Sequence, residues 1–213
     1  MLKKNLKVQI VLFWVLFFYS YAYCLDFEKL KFSAEQGNAS AQNHIGFFFY
    51  ISQNYQEAAK WFKLAAEQGL AEGQVKLGVM YFDGKGIPQN YEEAVKWYKL
   101  AAEQGLARAQ YKLGLMYYHD DEVPQNYQEA AKWFKLATEQ GYADAQVKLG
   151  IMYALGQGVP QNYQEAAKWC ILAKASGDSR ASEVLDMITA LTTPSQLQKA
   201  QEDAQKWWDE HKR

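Results

Sequence analysis

Residues 71–105 read Ala71-Glu-Gly-Gln-Val-Lys-Leu-Gly-Val-Met-Tyr81, then a glycine-rich stretch to Pro88, then Gln89-Asn-Tyr-Glu-Glu-Ala-Val-Lys-Trp-Tyr-Lys-Leu-Ala-Ala-Glu-Gln-Gly105. Nearly the same text returns from Ala107 and from Ala143. Trp61, Trp97, Trp133 and Trp169 are spaced by 36 residues, as are Gly69, Gly105, Gly141 and Gly177. A shorter copy starts at Ala39 and lacks four loop residues, since Gly37 and Gly69 stand 32 apart. A fixed period of this length marks stacked supersecondary units.

Both halves of the unit carry helical period. Tyr91, Ala94, Trp97, Tyr98 and Ala101 form one stripe of an amphipathic helix. Asn90 is the expected N-cap, with Glu93 as its capping-box partner. Gly105 stands where a left-handed residue ends a helix without a Cβ clash. In the first half Leu77, Gly78 and Tyr81 share a face, and Gly78 predicts close approach of the neighbouring helix. One helical hairpin of this size cannot bury both faces, so the copies must stack into an all-α array.

At these residues the chain resembles the Sel-1-like repeat family, relatives of the tetratricopeptide repeats. The resemblance rests on Ala-x-x-x-Leu-Gly-x-x-Tyr in the first helix and Tyr-x-x-Ala-x-x-Trp-aromatic-x-x-Ala-Ala-x-Gln-Gly in the second. It implies a right-handed α-α superhelix, a solenoid of stacked helix pairs acting as an adaptor for proteins or peptides. Four copies are expected at 39–70, 71–106, 107–142 and 143–178. Residues 26–38, with Lys31-Phe-Ser-Ala-Glu-Gln-Gly37, resemble a lone second helix and are expected to cap the start. Residues 179–213 are expected to cap the end, with Arg180 to Leu191 a degenerate first helix. Thr193-Pro194-Ser195-Gln196 then opens a final helix whose Trp207 and Trp208 close the last repeat or form an exposed partner patch.

Ahead of the array lies an address. Lys3, Lys4 and Lys7 precede an apolar run from Val8 to Tyr19, shorter than the roughly 20 residues that span a bilayer. Small residues follow, so residues 1–24 read as a signal peptide cleaved after Ala22 or Cys24. The alternatives are an uncleaved membrane anchor and, against the bulk of Tyr23, lipidation at Cys24. The expected location is therefore periplasmic or secreted, with any membrane contact through that segment alone.

Composition narrows the function classes. The 213 residues are 49% hydrophobic and 22% charged, enough to bury a core. The net charge of −1 offers no positive field for nucleic acid. Aromatic residues reach 15%, and two cysteines, Cys24 and Cys170, make no disulfide framework. A monomer held by packing is expected.

Differences among the copies mark a face. The first helices change at Glu72/Arg108/Asp144, Val75/Tyr111/Val147, Val79/Leu115/Ile151, Phe82/Tyr118/Ala154 and Asp83/His119/Leu155. The first copy holds Ser40, Asn43, Phe47, Tyr50 and Ile51 in those slots. Their spacing places them on one helix face, which in arrays like tetratricopeptide repeats lines the concave groove. The expected partner-binding residues are Phe47, Tyr50, Val75, Val79, Phe82, Arg108, Tyr111, Leu115, Tyr118, Val147 and Ile151. Arg108 is read as the sole positive charge there. Flat aromatic surface suits a peptide; simple packing between successive first helices is the competing reading.

No P-loop, paired CxxC, HExxH or GxSxG occurs, and no serine begins a Ser-x-x-Lys. Cysteine-rich members of the family are described as β-lactamases, yet their regular cysteine pair in each repeat is missing here. His119-Asp120-Asp121-Glu122 replaces the Asp83-Gly84-Lys85-Gly86 loop; either it holds a cation or Asp120 takes the left-handed position of Gly84. Cys170 stands in the slot of Phe62, Tyr98 and Phe134 and reads as a buried core thiol. Lysines such as Lys60 and Lys96 follow Glu57 and Glu93 by three, as solvated pairs. The expectation is a non-catalytic scaffold of the cell envelope without cofactor or metal; the alternatives are a β-lactamase-like hydrolase and a structural spacer.

Overall fold

The computed structural model describes residues 26–121 and 123–211. The expected signal peptide lies outside them. The described residues form helices and turns with no strand. After α1 (26–35) come α2 (Ala39–Ile51), α3 (Tyr55–Glu67), α4 (Ala71–Asp83), α5 (Tyr91–Glu103) and α6 (Ala107–Tyr118). They are followed by α7 (Tyr127–Glu139), α8 (Ala143–Leu155), α9 (Tyr163–Ala175), α10 (Arg180–Thr189) and α11 (Pro194–His211). This is the all-α fold of repeated helix pairs that the period demands.

The chain divides into two compact units. The first runs to Leu77 and includes the Lys85–Pro88 loop segment. In it α2 packs against α3, and Ile45 and Phe62 are fully buried. The second unit holds Gly78–Gly84 and everything from Gln89. In it the helices stack in chain order: α5 on α6, α6 on α7, α7 on α8, α8 on α9, and α9 against both α10 and α11.

The recurring glycine of each first helix makes room for one side chain. A Cβ on Gly46, Gly78 or Gly114 would stand 2.7, 2.7 or 2.6 Å from the ring of Phe62, Tyr98 or Phe134. On Gly150 it would stand 2.7 Å from Cys170 Sγ. Cys170 is accordingly a fully buried core thiol in the ring's slot, and burial pushes it up to about 12.

Helix starts repeat as well. Asn54, Asn90, Asn126 and Asn162 each accept from the backbone N–H three residues on. The second half of the expected capping box does not form. The N–H of Asn90 donates instead to Tyr81 O at 2.9 Å, that of Asn126 to Tyr117 O and that of Asn162 to Tyr153 O. The glutamates, Glu93 among them, turn outward to Lys60, Lys96, Lys132 and Lys168. The cap thus ties each second helix to the end of the first. At α11 the box is complete: Gln196 N–H donates to Thr193 Oγ1, and Thr193 N–H to Gln196 Oε1. Trp207 sits edge-on to Trp169, with ring centroids 6.1 Å apart.

Candidate functional site

In the first unit Phe47 is 45% exposed. The Lys76 ammonium lies 4.9 Å from the Phe47 ring centre. Tyr50 is half-buried, edge-on to Tyr55 at 5.3 Å. Val75 is 1% exposed, so it is a core residue and presents no surface.

In the second unit Val79, Phe82, Tyr111, Leu115, Tyr118 and Ile151 are half-buried and Arg108 is exposed. Val147 is buried at 5% exposure, packed with Ala173 and Ala181. Both valines stand in the slot of Tyr111, whose longer side chain keeps accessible surface. Tyr111 lies 5.8 Å from Phe134 and 5.2 Å from Tyr142. Burial first, then the Asp144 charge, raises its pKa. Tyr118 lies 5.4 Å from Tyr127, and its hydroxyl donates to Gln157 Oε1 at 3.0 Å.

Arg108 is not the only cation on this face. Lys112 and Lys148 are half-buried, 5.8 Å above the Tyr98 ring and 5.1 Å above the Tyr118 ring. Burial lowers both pKa values, helped by Arg108 for Lys112 and by Arg180 for Lys148. These lysines recur in every full copy, so comparing variable positions passed over them. The signal available was their spacing, four residues after Arg108 and Asp144.

Phe82 and Leu115 meet at a cavity of about 290 Å³, completed by Tyr98, Lys112, Met116 and His119. His119 is extended, with φ −91° and ψ 156°, and ends α6 one residue earlier than α4 and α8 end. Among described non-glycine residues Gln53 alone has positive φ. Asp120 therefore does not take the left-handed position of Gly84. Among the described residues no three His, Cys, Asp or Glu side chains converge as metal ligands would.

Among the described residues, buried side-chain polar atoms without a hydrogen-bond partner are Asn43 Oδ1, Trp97 Nε1, Trp169 Nε1 and both polar atoms of Gln146. Gln42, Gln74 and Gln110 donate through Nε2 to Ala34 O, Ala66 O and Ala102 O. Gln42 and Gln110 also accept from Gln68 and Gln140. The fourth copy has Ser176 in the slot of Gln68 and Gln140, too short to reach. Both polar atoms of Gln146 are buried without a partner.

The Sel1 repeat model matches residues 39–70, 71–106, 107–142 and 143–178. A Sel1 repeat protein from Oxalobacter formigenes, known by crystal structure, is 34% identical with a TM-score of 0.69, over 76% of this chain and 48% of that one. The crystal structure of c5321, a protective antigen present in uropathogenic Escherichia coli strains and displaying an SLR fold, is 29% identical with a TM-score of 0.51. That similarity covers 85% of this chain and 48% of c5321. The chain spans about half the length of each of these two structures. No curated protein matches it.

Proposed function

This chain belongs to the Sel1 repeat family, and from that premise we propose a non-catalytic scaffold of the cell envelope that binds a protein or peptide on its first-helix face. Sel1 repeats generally mediate protein–protein interaction. The observation that supports the reading is the half-buried surface of the second unit, where Tyr111, Leu115, Tyr118 and Ile151 keep accessible area although their slots face other helices. Rigid aromatic side chains give large contact area at little cost in conformational entropy. The envelope location rests on the apolar run from Val8 to Tyr19 behind three lysines. No described helix is long and apolar enough to cross a membrane.

A hydrolase of the cysteine-rich type finds little support. Cys170 is the one described cysteine, it is fully buried, and burial suppresses its thiolate.

Affinity capture from envelope extract tests the proposal, comparing wild type with a Tyr111→Glu/Ile151→Glu variant whose helical circular dichroism is unchanged. A partner held by the wild type and lost by the folded variant supports the face. Partners held equally by both refute it, and no partner at all favours a structural spacer.

A further inference from the structure

The cavity beside Phe82 lies next to a loop whose sequence differs from its counterparts. In the second and fourth repeats the loop carries paired left-handed glycines, Gly84 and Gly86 (φ 66° and 74°) and Gly156 and Gly158 (φ 68° each). A Cβ on Gly86 or Gly158 would stand 2.2 or 2.1 Å from the carbonyl oxygen of Tyr55 or Tyr127. Each glycine thus seats its loop on the first residue of the preceding second helix, where only glycine fits. In the sequence of the third repeat, His119-Asp120-Asp121-Glu122 replaces this loop and has no glycine. There α6 ends one residue early, at Tyr118.

The side chains differ in parallel. Where the third and fourth repeats meet, the Tyr118 hydroxyl donates to Gln157 Oε1 at 3.0 Å. The same two slots where the second and third repeats meet hold Phe82 and Asp121, which cannot make that bond. The cavity of about 290 Å³ lies at this junction. About 150 Å³ of apolar cavity holds a benzene ring, so this one takes a single large residue.

Charge along α6 sets the direction of that residue. Arg108 and Lys112 stand on the turns before Leu115 and Met116, and the acidic loop follows His119. Lys112 is half-buried above the Tyr98 ring, and repulsion from Arg108 acts on it more strongly than attraction by the exposed Asp83. An anion on the ligand relieves that excess. A residue that carries a large apolar side chain and an anion on its own backbone satisfies both features at one place.

Resting on the reading of the first-helix face as the working surface, we infer that this cavity anchors the last residue of a peptide: its large apolar side chain enters between Phe82 and Leu115, and its free α-carboxylate meets Lys112. An internal apolar residue would fill the space without the anion. A short acidic side chain would supply the anion without filling the space.

The test is fluorescence anisotropy on the purified full chain with fluorescein-labelled Gly-Ser-Gly-Ser-Phe as the free acid, the same peptide as its C-terminal amide, and Gly-Ser-Gly-Ser-Ala as the free acid. The Phe acid is expected to bind at least tenfold more tightly than either control. Lys112→Gln is expected to bring the acid down to the level of the amide without changing the amide. Leu115→Trp, which fills the cavity from a half-buried position, is expected to abolish binding. Lys132→Gln, an exposed second-helix lysine paired with Glu129, is expected to change nothing. Circular dichroism checks each variant for fold. Equal binding of acid and amide, undiminished binding to folded Leu115→Trp, or no binding of the Phe acid overturns the inference. A partner captured through Tyr111 and Ile151 that the Phe acid fails to displace would leave the scaffold reading standing and remove this one.

Discussion

Two junctions built from the same repeat end differently. Between the third and fourth repeats, glycines seat the loop on Tyr127 and Tyr118 bonds to Gln157. Between the second and third, the loop has no glycine, Phe82 has no hydroxyl, and a cavity lies beside Lys112. The helices flanking both are nearly the same text, down to the Asn90, Asn126 and Asn162 caps. A repeat array can therefore specialise at one junction through two or three residues while the packing stripe stays unchanged, because each unit contacts only its neighbours.

The closed junction is the easier one to break. Gly158→Val puts a β-branched residue at φ 68° and against the Tyr127 carbonyl. A loss of about 3 kcal/mol or more is expected in urea unfolding. The graft Asp120→Gly/Asp121→Lys/Glu122→Gly, which gives this loop the Gly-Lys-Gly of the second repeat, is expected to leave the stability within about 1 kcal/mol and to weaken binding of the Phe peptide.

Cys170, beyond the closed junction, sharpens the contrast through pH. Its thiol is held neutral by burial, with its folded pKa raised from 9.0 to about 12. Between those values the folded state binds the proton more than the unfolded state does. The stabilisation is thus complete below pH 9 and is lost as pH rises toward 12. The urea midpoint of the wild type is expected to fall more steeply from pH 8.5 to 10.5 than that of Cys170→Ala, and the native thiol is expected to resist a disulfide reagent at pH 8.

Smaller effects follow in order. Tyr118→Phe removes the hydrogen bond to Gln157 and is expected to cost about 1 kcal/mol. Phe82→Tyr, facing Asp121 without the glycine loop, is expected to gain nothing. Ser176→Gln supplies the missing partner of Gln146 and is expected to gain up to about 1 kcal/mol, read as a raised melting temperature. Lys132→Ala breaks an exposed pair with Glu129 and is expected to cost about 0.3 kcal/mol, the same as Lys96→Ala at Glu93.

What the residues alone revealed follows from what repetition records. Period, helix pairing and the Asn caps recur in every full copy, and the ring against Gly78 in all but the fourth, where Cys170 takes its slot, so they stand out from one chain. The face was legible in part: Tyr111, Leu115 and Tyr118 keep accessible surface, whereas Val75 and Val147 are core residues. Lys112 and Lys148 went unread for the opposite reason, since a residue that never varies looks like scaffold. The cavity had no sequence signal of its own, and a loop glycine becomes steric information only once the Tyr55 and Tyr127 carbonyls are located.

Methyl NMR with labelled methionine reports on both junctions in one sample. Met116 lines the open cavity, and Met152, fully buried, holds the same slot one repeat later. Adding the Gly-Ser-Gly-Ser-Phe acid should shift the Met116 methyl in proportion to occupancy and leave Met152 in place. Equal shifts of both methyls, or a shift of neither, would contradict the assignment of the open junction as the anchoring site.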